Sequence, residues 1–280
     1  MIFESKRLIL KKQFTNFCRR NLAFFRLAVQ TQLEYRFNFI TDALISPIIG
    51  AIIELTLWAS LFRLQNHPIN GFGKNDYLAY ALWAAFVSRI SITWMFESKM
   101  IEEIETGSIN NLLTRPLSFF EYYMSQFMGY KMITTLISFM VPVIVSMAFG
   151  LPFHFERLPA AFLLIFYFLI LVQILSFFIA TLAFFLNRAH SFTVAKNLTM
   201  WLLSGELLPL DLLPTFWRDL LFAMPFANAV YIPTGYLTGR IDSALFWHGF
   251  QTTTYGILFF AVLAYFSWQR GIRTYAGTGA

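Results

Sequence analysis

The chain has 280 residues, 58% of them hydrophobic, 19% aromatic and 13% charged, with 34 phenylalanines, a net charge of +6 and a mean hydropathy of +0.59. A soluble domain carries charge on about a quarter of its residues, so these totals exclude a soluble globular protein and describe an integral membrane one. The positive balance does not point to nucleic acid, because the basic residues gather at the ends of apolar stretches, where they act as orientation signals.

Residues 1–36 hold Lys6, Arg7, Lys11, Lys12, Arg19, Arg20, Arg26 and Arg36 against two acids, which keeps this segment in the cytoplasm by the positive-inside rule. Phe14, Phe17, Cys18, Phe25, Ala28 and Val29 fall on one helical face, the pattern of an amphipathic helix lying in the headgroup layer. No signal-peptide pattern follows the basic start. A first span is expected over residues 37–62, with Asp42, Pro47 and Glu54 inside it. At about 1.5 Å per residue, 20 residues suffice for a hydrocarbon core of about 30 Å. Glu54 is deep enough that it must face protein or a cavity. After a short outer loop over 63–76, a second span at 77–96 carries Arg89, and the expectation is that Arg89 pairs with Glu54.

The next stretch, 97–121, is a polar hinge. Glu97, Glu102, Glu103 and Glu105 interleave with Met100, Ile101 and Ile104 at helical spacing. Gly107 is placed to end that helix in a left-handed cap. Ser108 is the expected N-cap of a second short helix, with Ile109, Leu112 and Leu113 on one face and Pro116 as its stop. Ser118-x-x-Glu121 has the form of a capping box ahead of a third span at 124–149, where Lys131 is expected to snorkel and Pro142 to kink the helix.

A tight outer turn over 150–156 precedes 158–187, which contains no Asp, Glu, Lys or Arg before Arg188 and is the clearest transmembrane signal in the chain. A fifth span is expected at 192–210, with Lys196 snorkelling at its inner end, before Glu206, Pro209, Asp211 and Pro214. Residues 212–237, with Pro214, Pro225, Pro233 and Gly235, fit either a broken element at membrane depth or a plain outer loop. A sixth span at 243–269 ends at Arg270 and Arg273. Inner segments then collect about 15 of the 21 basic residues, which places both termini in the cytoplasm. The domain division is a basic tail with its interfacial helix, 1–36, and one transmembrane domain, 37–280.

The run IEEIETGSINNLLTRPLSFFEYYMSQFMGYK resembles the cytoplasmic loop of permease subunits of ABC-2 type exporters, in which a G-x-(I/L)-x-x-L-L-x-(R/K)-P pattern follows the second span. Gly107, Ser108, Ile109, Leu112, Leu113, Arg115 and Pro116 carry the match. SGELLPLDLLP is similar to the outer end of the fifth span in the same permeases, where the chain dips back as short re-entrant helices. The resemblance implies an all-α permease with six transmembrane helices and an N-terminal interfacial helix, in a bacterial cytoplasmic membrane. It further implies a second permease subunit, identical or related, and separate ATPase subunits that bind ATP and Mg. In that scheme Ile109, Leu112 and Leu113 seat in the ATPase, and Arg115 and the glutamates contact its rim.

Independently of the resemblance, the chain has no G-x-x-x-x-G-K-(S/T) loop, so ATP hydrolysis would fall to a partner. The single cysteine, Cys18, and the dispersed His67, His154, His190 and His248 offer neither a disulfide, a metal site nor a catalytic cluster. An enzyme acting on lipid is therefore disfavoured. An ion-coupled secondary carrier is the alternative, and paired interrupted helices in both halves would mark it; here one half is interrupted. Glu54, Arg89 and Glu206 are the candidate intramembrane polar residues of a translocation pathway. The aromatic-rich, sparsely charged interior leans toward hydrophobic or amphipathic cargo such as drugs or lipids.

Overall fold

The computed structural model describes residues 36–64, 67–91, 97–110 and 119–275, together with Arg19, Leu22, Ala23, Phe25, Arg26, Leu27 and Gln30. Those seven isolated residues are all helical; of the expected interfacial face only Phe25 is among them, and the rest lies outside the described residues. The described residues form helices, turns and short irregular links, with one isolated bridge between Ile69 and Phe72.

Helix α1 (Arg36–Ile40) passes through a π turn (Thr41–Ile45) into α2 (Ser46–Leu64). The turn widens for a local reason. Pro47 has no N–H to return to the carbonyl of Ala43 four residues back, and that carbonyl instead accepts the Ser138 hydroxyl at 2.7 Å. A tight hairpin follows, Ile69 and Phe72 exchanging two 3.0 Å backbone hydrogen bonds around Asn70 and Gly71. Both central residues have positive φ, 50° and 81°, as an Asn-Gly hairpin turn requires. Helix α3 (Lys74–Ser91) leads to α4 (Glu97–Glu105). Helices α5 (Phe119–Ser138) and α6 (Met140–Phe149) are one helical stretch interrupted at Phe139. Here Pro142 withholds the N–H that Ser138 would have used. The interruption falls three residues before Pro142, at which a kink is expected, and the hydroxyl of Ser138 spans from this defect to the one at Pro47.

Helix α7 (Leu158–Thr181) continues through a 3-10 turn (Leu182–Phe184), and α8 (His190–Leu203) follows. The chain then breaks into short pieces: α9 (Thr215–Ala223), a 3-10 turn (Pro225–Ala229) and α10 (Tyr231–Leu237). Finally α11 (Ser243–Thr274) is opened by Asp242, whose carboxylate caps the Leu245 N–H at 2.9 Å.

Four stretches are long and apolar enough to cross a bilayer: Phe37–Arg63, Lys131–Phe149, Phe155–Phe184 and Ser243–Thr274. The third is the axis of the fold, with 56% of its window buried, against 17% for the first and 22% for the last, whose exposed apolar faces suit lipid. The main core gathers around α7 from α3, α10 and α11, through Trp83, Phe86, Leu164, Phe168, Ile232 and Phe246.

The expected fifth span at 192–210 needs correction. Helix α8 has 14 residues, about 21 Å at 1.5 Å per residue, short of a core of about 30 Å. It ends because Gly205 takes φ 87°, while the Ser204 carbonyl accepts the Tyr231 N–H at 2.9 Å and the Gly205 carbonyl accepts the Tyr80 hydroxyl at 2.6 Å. A side chain at 205 would meet the Tyr231 Cβ at 2.8 Å, so glycine is required there.

Candidate functional site

Three places collect the polar groups that an apolar chain has to justify. The first is a cavity of about 390 Å³ between α2, α3, α6 and the turn after α8. Glu54, Arg89 and Glu206 all line it, so the structure brings the three intramembrane residues of the sequence reading to one place. It does not pair them as expected. The Arg89 guanidinium donates to Asp42 Oδ1 at 2.6 Å, to the Asp42 carbonyl at 2.8 Å and to Ser46 Oγ at 2.6 Å. Asp42 and Ser46 lie one turn apart on one face, level with the end of α3, whereas Glu54 is about 12 Å further along α2 than Ser46. Glu206, in the turn after α8, accepts the hydroxyl of Ser88, the neighbour of Arg89, at 2.7 Å through Oε1.

Lys131, expected to snorkel, is instead buried. Its ammonium donates to the carbonyl of Arg89 at 2.5 Å, in the last turn of α3, where carbonyls lack helical partners. Thus Arg89 is held at its side chain by α1–α2 and at its backbone by α5.

The second place is the hinge. Helix α4 turns Met100, Ile101 and Ile104 inward and leaves Lys99, Glu102 and Glu105 exposed. Gly107 ends it at φ 77°, its N–H on the Ile104 carbonyl at 3.3 Å and the Ile109 N–H on that of Glu103 at 2.9 Å. The left-handed cap is therefore present. The Ser108 hydroxyl lies 2.9 Å from that of Thr106 and faces back to the Glu103 carbonyl; the second helix that Ser108 is expected to cap lies, from residue 111 on, outside the described residues. Ile109 is not part of an outward face. It is fully enclosed by a cluster including Met100, Ile101, Ile104, Tyr123, Phe177 and Ala264, because the chain reverses at Gly107 and folds it under α4. Leu112, Leu113, Arg115 and Pro116 lie outside the described residues.

Two buried polar contacts tie the hinge to the helices. Tyr123 on α5 donates its hydroxyl to Glu103 Oε2; burial, reinforced by that carboxylate, holds the phenol well above its usual titration range. Lys196 on α8 pairs with Glu97 Oε1 and donates to Ser176 Oγ of α7 at 3.0 Å. Its side chain is 3% exposed and that of Glu97 0%, so Lys196 does not snorkel either. A carboxylate fully enclosed at the start of α4 requires a cation, and α8 passes within reach.

A third cluster was not anticipated. Arg240 is 2% exposed and pairs with Asp211 at 3.0 Å. It stacks 4.2 Å from the ring centroids of both Phe72 and Tyr77, and Asn70 donates to the Asp211 carbonyl at 2.9 Å. The aromatic residues flanking 72–80 were the available signal. This clamp joins the first hairpin to the broken segment.

Long apolar helices around buried ion pairs and a cavity define a polytopic helical membrane protein. The profile of the ABC-2 family transporter proteins matches residues 48–279, and the chain belongs to that family. No curated protein sequence matches it.

Proposed function

We propose that the chain is the membrane-spanning permease of an ATP-driven exporter in a bacterial cytoplasmic membrane, working with a second permease subunit and separate ATPase subunits that bind ATP and Mg. Both termini face the cytoplasm and the chain crosses six times. The crossing at α8 is completed by the broken segment that follows it, and α9 and α10 re-enter from the outer side. Short helices at membrane depth are tolerable where protein buries them, and Tyr231, Ile232, Thr234 and Leu237 of α10 are buried.

The observation that carries this reading is the hinge. An amphipathic helix with an acidic outer face is fastened to α7 and α8 by the Glu97–Lys196 pair and to α5 by Tyr123. Force applied by an ATPase at the exposed Glu102, Glu105 and the following residues would reach the membrane helices through those contacts as movement of a rigid unit. With Ile109 holding the loop, docking falls to Leu112, Leu113 and Arg115, with Gly107 setting the reversal and Pro116 its end. The cavity lined by Glu54, Arg89 and Glu206 belongs to the translocation pathway.

Leu112→Asp or Leu113→Asp is expected to abolish stimulation of the partner ATPase, measured as ATP turnover in reconstituted membranes, while membrane insertion persists. Unchanged coupling would remove the hinge from this role. Copurification of a P-loop subunit separates this reading from an ion-coupled carrier.

A further inference from the structure

The cavity between α2, α3, α6 and the turn after α8 is more selective than a general hydrophobic slot. Its volume of about 390 Å³ lies within the range of drug-sized ligand sites. Its walls are mostly hydrocarbon and aromatic, with Phe86 on one side and Trp201 on another. Its charges are unbalanced. Arg89 is the cation, and its guanidinium is bound by Asp42 and Ser46. Glu206 is met by a neutral hydroxyl, and Glu54 has no hydrogen bond or ion pair among the described residues. With Asp42 at the Arg89 guanidinium and the Lys131 ammonium at the Arg89 carbonyl, three carboxylates stand against two cations, and Glu54 and Glu206 are the two carboxylates that face the low-dielectric space.

An anion would be repelled there, and a neutral lipid would leave both carboxylates without a counter-charge. A hard metal ion needs about six oxygen ligands, and no group of three His, Cys, Asp or Glu side chains suited to a metal exists among the described residues. The remaining fit is a diffuse positive charge carried on an apolar body, which the carboxylates attract and the Trp201 and Phe86 faces can contact. We propose that this cavity binds amphipathic organic cations, with the cationic centre between Glu54 and Glu206 and the apolar groups against Trp201 and Phe86. This narrows the cargo and rests on the reading of the chain as a permease.

The test uses the full chain in detergent micelles without any ATPase, so that it reports on the site and not on coupling. Tetraphenylphosphonium and tetraphenylborate have the same shape and opposite charge. Equilibrium dialysis, with partition into empty micelles subtracted, is expected to show one saturable site for the phosphonium and none for the borate. Glu54→Gln and Glu206→Gln are each expected to weaken binding at least about fivefold, and Glu54→Asp to retain most of it. Gly50 provides a variant that leaves the charges untouched: it lines the cavity, and a side chain built there meets nothing within 4 Å. Gly50→Phe is expected to fill the space and reduce binding at least about tenfold, with thermal stability unchanged. Saturable binding of the borate, or phosphonium binding that survives both Gly50→Phe and the double glutamine substitution, overturns the proposal. Displacement of the phosphonium by millimolar Mn²⁺ would overturn it in favour of a metal. A chain that binds the phosphonium but couples to no ATPase retains the site and loses the exporter reading.

Discussion

Glu97 and Lys196 are 99 positions apart, and each depends on the other more than a surface pair would. Glu97 Oε2 has no partner among the described residues, so the charge on this enclosed carboxylate is balanced through Oε1 by Lys196, with Ser176 completing the ammonium. Removing one member of such a pair leaves a buried charge and costs about 3–5 kcal/mol, whereas replacing both by neutral groups is often close to neutral. Lys196→Met should therefore lower the unfolding free energy in micelles by about that amount, and Glu97→Gln combined with Lys196→Met should recover most of it. A double variant as unstable as Lys196→Met alone would assign the loss to packing. Sequence reading located both residues and mistook the lysine's role, because a lysine near a helix end with an aliphatic stem fits snorkelling and burial equally well until the partner is known. The same holds for Arg89. Helical spacing cannot choose between Asp42 and Glu54, both on the neighbouring span; only the axial level of α3 against α2 decides.

At the level of elements, legibility followed the source of burial. Helix α7 is apolar on nearly every face and no residue from 164 to 181 is exposed, so hydropathy alone placed it. Helices α8 to α10 are short and held by specific contacts such as Tyr80 to Gly205, which average hydropathy does not register; the reading extended α8 across residues that instead turn. The α4 hinge was legible in its pattern of glutamates and isoleucines and in Gly107. An amphipathic pattern does not say whether its apolar side meets a partner or its own chain, and at Ile109 it is its own chain. That distinction is testable. Ile109→Ala removes a fully buried branched side chain and is expected to cost about 2–5 kcal/mol, seen as a lower midpoint of thermal unfolding, with ATPase coupling falling only as folded protein is lost. If Ile109→Ala abolished coupling at full stability, the residue would belong to the docking face after all.

For the whole molecule, the controlling question is which ends of the helices share a side of the membrane. Helix α7 has 24 residues, about 36 Å at 1.5 Å per residue, enough to span the hydrocarbon. Glu156 is exposed just before its start, while the hinge packs against its last turns through Phe177 and Ala180. Asn110, also exposed, therefore lies at the opposite end of the same crossing, and the proposed exporter function requires the Asn110 end to be cytoplasmic. Cys18 is the one cysteine, so Cys18→Ala gives a clean background for labelling. In that background Asn110→Cys should react with a membrane-impermeant maleimide only after the cytoplasmic face is opened, and Glu156→Cys should react in intact cells. Reversal of the two would place the hinge outside, beyond reach of any cytoplasmic ATPase, and would remove the exporter reading while leaving the fold intact. Reaction of both from one side would mean that α7 does not cross, and the packing of α3, α10 and α11 around it would no longer describe a transmembrane core.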